Sequence, residues 1–132
     1  MDWTPFLYQA LEKALQMENK SDGAMAAFKR ALRLRPDDYS SHQNIGNLLL
    51  EKGDTEGAVA ELRAALNGTI AEYGSVLSSV ESATEVYVKR MYGLQLYSLH
   101  YNLGWALFMN GDRDEGVAEV CRGKSRPVWC GR

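Results

Sequence analysis

Few side chains in this sequence are of the types that carry out catalysis. The two histidines are His42 and His100, and Cys121 is a possible nucleophile, but nothing beside it supplies a base or an oxyanion hole. Gly123-Lys124-Ser125 is similar to the end of a phosphate-binding loop. However, Ala118 stands where that motif requires a glycine, and no strand is predicted before it. We therefore predict neither a nucleophile nor a nucleotide site.

Acidic side chains are numerous, and their positions indicate helix starts. Asp54 and Asp112 each follow a glycine, where a carboxylate can accept hydrogen bonds from the first free amides of a helix. Asp112 with Glu115 is close to a capping box. A catalytic site would require carboxylates paired in a cleft with perturbed pKa values. We predict that the chain is not an enzyme and that it has no catalytic residues, no metal ligands and no cofactor.

Length, charge and cysteine usage restrict the function classes further. The chain has 132 residues, enough for one domain, and its net charge of −2 supplies no basic face for nucleic acid. No apolar run approaches the roughly 20 residues of a membrane span, and no secretory signal is visible. Cys121 and Cys130 are too few for a disulfide framework. We expect a cytoplasmic or nuclear protein that binds neither nucleic acid nor membranes.

A spacing of 34 residues relates the first two parts of the chain. The corresponding pairs are Leu11 and Ile45, Leu15 and Leu49, Ala24 and Ala58, Phe28 and Leu62, and Ala31 and Ala65. Within each part the apolar residues recur at intervals of three and four, which is typical of amphipathic helices. A period of this length is typical of stacked units that cannot bury their apolar faces alone. We predict an all-α solenoid of antiparallel helix hairpins.

Local signals predict where the helices begin and end. The first helix should begin at Thr4, before Pro5, and stop near Asn19. Pro36 should end the second helix, because proline cannot continue the hydrogen-bond ladder. The next helix should begin near Ser40. The predicted turns within the three hairpins are Ser21-Asp22-Gly23, Gly53-Asp54 and Gly111-Asp112.

Residues 73–96 lengthen the chain between the second and third units. Ser82-x-x-Glu85 is a capping-box pattern, and no proline follows as far as Phe108. We expect one long helix of roughly 27 residues. Ser78 is an alternative start.

This long helix should be apolar on two sides. One stripe contains Tyr87, Met91, Leu94, Tyr101, Trp105 and Phe108, and the other contains Val88, Tyr92, Leu99 and Leu103. A helix that is apolar on more than one side usually packs on more than one side. Besides the second hairpin, we expect a loop over residues 67–79 to fold back and cover it. A second protein is the alternative.

The three units resemble the tetratricopeptide repeat, whose pattern is Trp-x-x-Leu-Gly-x-x-Tyr, then Ala-x-x-x-Phe, then Pro. The matching segments are Tyr8-x-x-Leu11 with Ala24-x-x-x-Phe28, His42-x-x-Ile45-Gly46-x-x-Leu49 with Ala58-x-x-x-Leu62, and His100-x-x-Leu103-Gly104-x-x-Leu107 with Gly116-x-x-x-Val120. The resemblance implies one right-handed solenoid domain over 1–132. Its repeats would span about 5–38, 39–72 and 97–126. The third is atypical and follows the insertion at 73–96, and 127–132 is a tail.

The repeated positions also carry structural predictions. His42 and His100 replace the family's tryptophan at equivalent positions, so we interpret them as structural residues. Gly46 and Gly104 should lie where two helix backbones nearly touch, since a glycine inside a helix costs up to about 1 kcal/mol. After Gly116 the last hairpin weakens, and no polar capping helix is visible. The chain is then either part of a longer array or pairs through this end with another copy or subunit.

The resemblance implies a concave face, lined by the first helices of successive hairpins, that binds a peptide segment of another protein. On this sequence the face would present Gln9, Lys13, Gln43, Asn44, Asn47, Glu51, Tyr101, Asn102 and Trp105. Asn44 and Asn102 each precede the leucine-type residue of their repeat, and the resemblance implies a ladder of amides that bonds a partner's backbone. Solvated or locally bonded asparagines are the alternative.

Some members of the family grip the terminal carboxylate of heat-shock chaperones with lysine, arginine and asparagine. The matching positions here are Gln9, Lys13, Asn44, Ser98 and Asn102. Only Asn44 fits, and a carboxylate site needs positive charge to offset desolvation. We do not expect binding to chaperone tails. The asparagine-rich face is more similar to the solenoids of O-linked N-acetylglucosamine transferases.

Three functions follow from these observations. The leading prediction is an adaptor that binds a peptide segment in the concave groove. The second is a structural subunit that self-associates through its uncapped C-terminal end. The third is the targeting segment of a larger enzyme, such as a glycosyltransferase similar to the O-linked N-acetylglucosamine transferases.

Overall fold

The computed structural model of the chain describes residues 3–17 and 21–123, and within these ranges it contains helices and no strand. The helices are α1 (Thr4–Met17), α2 (Ser21–Leu34), α3 (Tyr39–Glu51), α4 (Thr55–Ser79), α5 (Ser82–Met109) and α6 (Arg113–Arg122). The predicted all-α fold is confirmed. Asn19, where α1 was predicted to stop, and the tail 127–132 lie outside the described residues.

Consecutive helices pack against each other along the whole chain. α1 pairs with α2, α3 with α4 and α5 with α6, and the α2–α3 and α4–α5 contacts join neighbouring hairpins. The first core cluster joins α2 to α3 and contains Ala24, Met25, Phe28, Ile45 and Leu48. The second joins α4 to α5 and contains Ala58, Val59, Leu62, Ala65, Leu66, Leu99, Leu103, Ala106 and Leu107. Both core clusters therefore join one hairpin to the next, as the 34-residue period predicts.

Glycine turns close the second and third hairpins. Gly53 and Gly111 have φ angles of 85° and 103°, a backbone conformation that glycine adopts without steric cost. The two predicted turns are confirmed. The predicted turn over 21–23 is wrong, because these residues form the first turn of α2. Asp22 in that turn is favoured by the positive end of the helix dipole, and its carboxylate pairs with Lys52.

The two aspartates after these glycines differ in their capping role. The Asp54 carboxylate accepts a hydrogen bond of 3.0 Å from the Gly57 amide. Asp112 makes no side-chain capping bond. The capping box predicted for Asp112 and Glu115 is wrong, because Glu115 accepts a hydrogen bond of 2.8 Å from Arg63 instead.

We expect Asp54→Ala to lower the free energy of unfolding by about 1 kcal/mol, because it removes a side-chain cap. Asp112→Ala is the matched control and should cost less, since no capping bond is lost. Urea unfolding of both variants measures the difference. Equal losses in the two variants would show that the Asp54 cap contributes nothing specific.

The insertion at 73–96 forms the ends of two long helices. α5 has 28 residues, Ser82–Met109, so the predicted long helix is confirmed. Its N-cap is Glu81, which makes no side-chain capping bond, and Glu85 pairs with Lys89 instead. The predicted capping box is therefore wrong. The alternative start at Ser78 is wrong as well, because that residue lies inside α4.

The segment 67–79 is helical, so the predicted covering loop is wrong. No proline interrupts this segment, and α4 continues without a break to Ser79. The rings of Tyr73 and Tyr92 meet at 5.2 Å between centroids, which ties the outer parts of α4 and α5 together. α4 and α5 thus extend side by side beyond the repeat.

The two apolar stripes of α5 have different environments. Leu99 and Leu103, in the second stripe, are buried against α4. The first stripe is exposed: Leu94 is 69% exposed and Tyr87 65%. Because α4 packs on the side of the second stripe, no described element covers the first stripe. None of the described helices is long and apolar enough to cross a membrane.

The close approach of two helix backbones that was predicted at Gly46 and Gly104 is confirmed at Gly104, whereas at Gly46 the nearest contact is a side chain. A Cβ atom at Gly104 would lie 2.7 Å from the Gly116 carbonyl oxygen and 2.9 Å from the Val120 amide nitrogen. A Cβ atom at Gly46 would lie 2.7 Å from Cγ of Leu62. In the third hairpin the backbones of α5 and α6 therefore touch directly. In the second hairpin a side chain fills the corresponding gap.

Candidate functional site

The first helices of the three hairpins, α1, α3 and α5, carry all nine predicted groove residues. Gln43 on α3 donates a hydrogen bond of 3.1 Å to the Ser98 hydroxyl on α5. Gln9, 34 residues before Gln43, donates to the Asp38 carboxylate just before α3. Both amides therefore link one hairpin to the next. Their hydrogen bonds fix the relative positions of helices that carry the predicted groove residues.

A polar hollow of about 250 Å³ lies between α1 and α3. Its lining residues are Phe6, Gln9, Ala10, Lys13, Ser40 and Asn44. Lys13 is exposed and Asn44 is half-buried. The structure thus brings three of the predicted groove residues, Gln9, Lys13 and Asn44, to one place. Together they offer a cation and amide groups to a ligand.

A central hollow of about 380 Å³ lies between α3 and α5, lined by Asn47, Leu50, Glu51 and Trp105. Asn47 and Trp105 are 58 residues apart and hold equivalent positions in their repeats. The Trp105 indole is 49% exposed, so it can contact a ligand. This hollow combines an amide, a carboxylate and an aromatic ring.

An apolar hollow of about 240 Å³ opens between α5 and α6. Its lining residues are Tyr101, Gly104, Trp105, Phe108, Gly116, Val117 and Val120. The rings of Trp105 and Phe108 stack with 8° between their planes. Trp105 therefore borders both the central hollow and the apolar hollow. Tyr101 belongs to the apolar hollow.

The two asparagines of the predicted ladder do not share a hollow. Asn102 is half-buried on α5 and lines neither the polar hollow of Asn44 nor the central hollow of Asn47. Asn44 and Asn47, one helical turn apart on α3, line these two hollows in succession. The ladder formed by Asn44 and Asn102 stays a prediction.

The histidines join the two helices of their own hairpins. Nδ1 of His42 lies 2.6 Å from the Glu61 carboxylate, and Nδ1 of His100 lies 2.6 Å from that of Glu119. Each glutamate follows its histidine by 19 residues. Glu119 is buried and also pairs with Arg122. The same pair in two hairpins agrees with the structural interpretation of both histidines.

Glu12 is a residue whose importance the sequence reasoning missed. Its side chain is fully buried, and both carboxylate oxygens lack a hydrogen-bond partner. Burial raises the pKa of Glu12 to about 7, while the nearby Lys13 lowers it. The available signal was the repeat itself, since Glu12 occupies the position of Gly46 and Gly104. A scan for apolar periodicity passes over such a residue.

Comparisons with known proteins bear on residues 10–75, which match the tetratricopeptide repeat. This match covers half of the chain, from the middle of α1 to near the end of α4. No curated protein matches the chain. The third hairpin, outside the matched segment, repeats the turn glycine and the histidine–glutamate pair of the second. The chain belongs to the tetratricopeptide repeat family.

Proposed function

We propose that this protein is a non-enzymatic adaptor that binds an extended segment of a partner protein along α1, α3 and α5. Membership of the family supports a protein–protein interaction module in general. The observation that carries the finer proposal is the succession of two open hollows on α3, the polar hollow at Asn44 and the central hollow at Asn47. A chain that follows α3 would pass over both.

The side chains of these hollows suit recognition of a peptide backbone. An asparagine amide has both donors and an acceptor, so Asn44 and Asn47 could each bond a backbone amide and carbonyl. Trp105, half-exposed in the central hollow, offers an aromatic surface to one apolar side chain of the ligand. The proposed ligand is an extended segment with polar contacts throughout and one apolar anchor.

The charges at the two hollows favour one direction of the ligand. Lys13 in the polar hollow and Glu51 in the central hollow are both exposed and of opposite sign. A segment with an acidic residue over Lys13 and a basic residue over Glu51 would be complementary to both. Such rim charges contribute more to orientation and association rate than to affinity.

A peptide library displayed on phage and selected on the intact chain tests the proposal. The selected peptide should bind Asn44→Ala/Asn47→Ala about 5- to 150-fold more weakly, which corresponds to about 1 to 3 kcal/mol. Asn67→Ala is the matched control, because Asn67 is exposed on α4, away from the groove, and it should leave the affinity unchanged. Fluorescence anisotropy measures all three dissociation constants.

The same peptide tests the asparagine ladder separately. Asn44→Ala/Asn102→Ala should weaken binding by about 1 to 3 kcal/mol if both amides contact the ligand. If Asn102→Ala alone leaves the affinity unchanged, the ladder is wrong while the groove stands. If neither Asn44 nor Asn47 matters, or if no peptide is selected, the groove proposal is wrong. The cytoplasmic location and the role as a targeting segment of a larger enzyme stay predictions.

A further inference from the structure

The contact between the second and third hairpins shows which side chains a helix uses to pack against the preceding hairpin. α5 presents Leu99, Leu103, Ala106 and Leu107, which are between 0% and 2% exposed. These residues belong to one core cluster with the apolar side of α4. Their spacing places three leucines and one alanine on one face of the helix. This face fits the outer side of a hairpin.

α1 carries the same four residue types at the same spacing. Leu7, Leu11, Ala14 and Leu15 lie 92 residues before Leu99, Leu103, Ala106 and Leu107. Here the face is open: Leu7 is 67% exposed and Leu11 is 51% exposed. Ala14 is exposed as well. α1 thus displays the face that α5 uses to bind a hairpin, and no hairpin within the described residues packs against it.

The apolar hollow is the corresponding receiving surface at the other end of the stack. In the second hairpin α5 covers Val59 and Leu62, which are 7% and 0% exposed. The equivalent residues of the third hairpin are Val117 and Val120, 58 residues later, and both line the apolar hollow. Val117 is 37% exposed. No other described element of the chain packs on this surface.

We propose that α1 of a second copy of this protein docks in the apolar hollow, so that copies assemble head to tail. The occupant is identified by its residues, because α1 repeats the leucine and alanine face of α5. The hollow repeats the hairpin surface that this face already fits. The argument for this contact does not rest on the proposed peptide binding, because it uses the residues at the two ends of the stack.

A position at the edge of the interface supports this assignment. Between the second and third hairpins, Gln43 donates to Ser98. At a head-to-tail contact the equivalent positions are held by Tyr101 and by Phe6 of the second copy. Tyr101 is 50% exposed and Phe6 is 40% exposed. A polar pair inside the chain is therefore replaced by an aromatic pair between copies, and aromatic pairs add favourable energy beyond their buried area.

The two surfaces are different, so the contact is heterologous. Each copy that binds through α1 leaves its own apolar hollow open for the next copy. A heterologous contact produces an open filament of copies, unless the rotation between neighbouring copies closes a ring. The array of hairpins would then continue across the copies with the geometry that it has within one copy.

Sedimentation velocity of the full chain over a concentration series provides the first test. The weight-average mass should rise with concentration beyond that of a dimer. Leu7→Lys blocks the α1 face, and Val117→Lys blocks the apolar hollow. Each substitution should weaken assembly at least tenfold. Both side chains are partly exposed, and circular dichroism with urea unfolding verifies that each variant is folded.

Mixing the two blocked variants is the decisive step. Each retains one intact surface, so an equimolar mixture of Leu7→Lys and Val117→Lys should form a 1:1 dimer and stop there. The proposal would be overturned if the parent protein is monomeric at all concentrations, or if the mixture of the two variants does not form a dimer. Self-pairing through α1 alone would leave Val117→Lys able to associate with itself, and self-pairing through the apolar hollow alone would leave Leu7→Lys able to do so; either result would overturn the proposal.

A control and a contact map complete the experiment. Leu94→Lys places the same charge on the exposed stripe of α5, where Leu94 is 69% exposed, and should leave assembly unchanged. Loss of assembly in this variant would assign the contact to the stripe and overturn the proposal. A photoreactive benzoylphenylalanine at position 6 should crosslink to the segment around Tyr101 of another copy. Crosslinks elsewhere would also contradict it.

Discussion

Gly104→Leu is expected to lower the free energy of unfolding by about 3 kcal/mol or to prevent the third hairpin from forming. An added Cβ would meet the Gly116 carbonyl oxygen at 2.7 Å and the Val120 amide nitrogen at 2.9 Å. Both are backbone atoms of α6, which no change of rotamer can move. α5 and α6 would have to separate, and the packing between them would be lost.

Leucine substitutions at two other glycines should be less destabilising than Gly104→Leu. Gly46→Leu should cost about 1 to 3 kcal/mol, because the nearest atoms belong to the Leu62 side chain, which can shift in part. Gly74 is exposed on α4 with nothing within 4 Å of an added Cβ. Gly74→Leu should therefore be neutral or stabilising by up to about 1 kcal/mol, through helix propensity. Urea unfolding should rank the three variants in this order. A Gly104→Leu variant as stable as the parent would show that the assigned repeat register is wrong.

The stability of the protein should fall as the pH rises from about 4.5 to about 7, and Glu12 should cause this. Its pKa is about 7 in the folded chain and 4.5 in the reference state. Between these values the folded protein holds a proton that the unfolded chain has released, so a higher pH favours unfolding. Below pH 4.5 both states are protonated and the penalty is absent. Above pH 7 the full penalty, up to about 3 kcal/mol, is present.

Two substitutions of Glu12 separate charge from burial. Glu12→Gln keeps the size and removes the titration, so the difference in stability from the parent should depend on pH across this window. Glu12→Met also removes the buried polar atoms and should raise stability at pH 8 by about 1 to 3 kcal/mol. Glu51→Gln, on the exposed end of α3, is the control and should follow the parent curve. If the free energies of unfolding of the parent and of Glu12→Gln differ by a constant amount from pH 4 to 8, Glu12 is excluded as the cause.

The parts of the fold that sequence reasoning predicted are those fixed by repetition. Gly46 and Gly104 recur at equivalent positions, and so do the turn glycines Gly53 and Gly111. The need for close helix packing and the need for a tight turn are therefore each visible twice in the sequence. The long α5 was predictable because an uninterrupted helical pattern leaves few alternatives. Repetition thus predicted both the hairpins and their closest contacts.

The errors lie where short local signals competed. Ser21-Asp22-Gly23 has the composition of a turn, but serine and aspartate also suit the first turn of a helix. Segment 67–79 contains glycine and serine, yet packing of α4 along α5 favours continued helix. Glu85 could pair with a helix start or with Lys89, and the ion pair forms.

The candidate groove was predictable in outline and not in detail. Family resemblance identified the helices that line it, but a sequence does not show which side chains are already engaged. Gln9 and Gln43 hold neighbouring hairpins together. The burial of Glu12 could be inferred only from the repeat position that it shares with Gly46 and Gly104, and its two unpaired carboxylate oxygens require coordinates.

Trp105 has a consequence for regulation, because its ring borders the central hollow on one side and the apolar hollow on the other. A partner peptide that draws the indole toward Asn47 would change the surface offered to the next copy. Thermodynamic linkage is reciprocal, so the copy would alter peptide affinity by the same factor. Peptide binding and head-to-tail assembly would then compete or cooperate, and the Trp105 indole would couple the two.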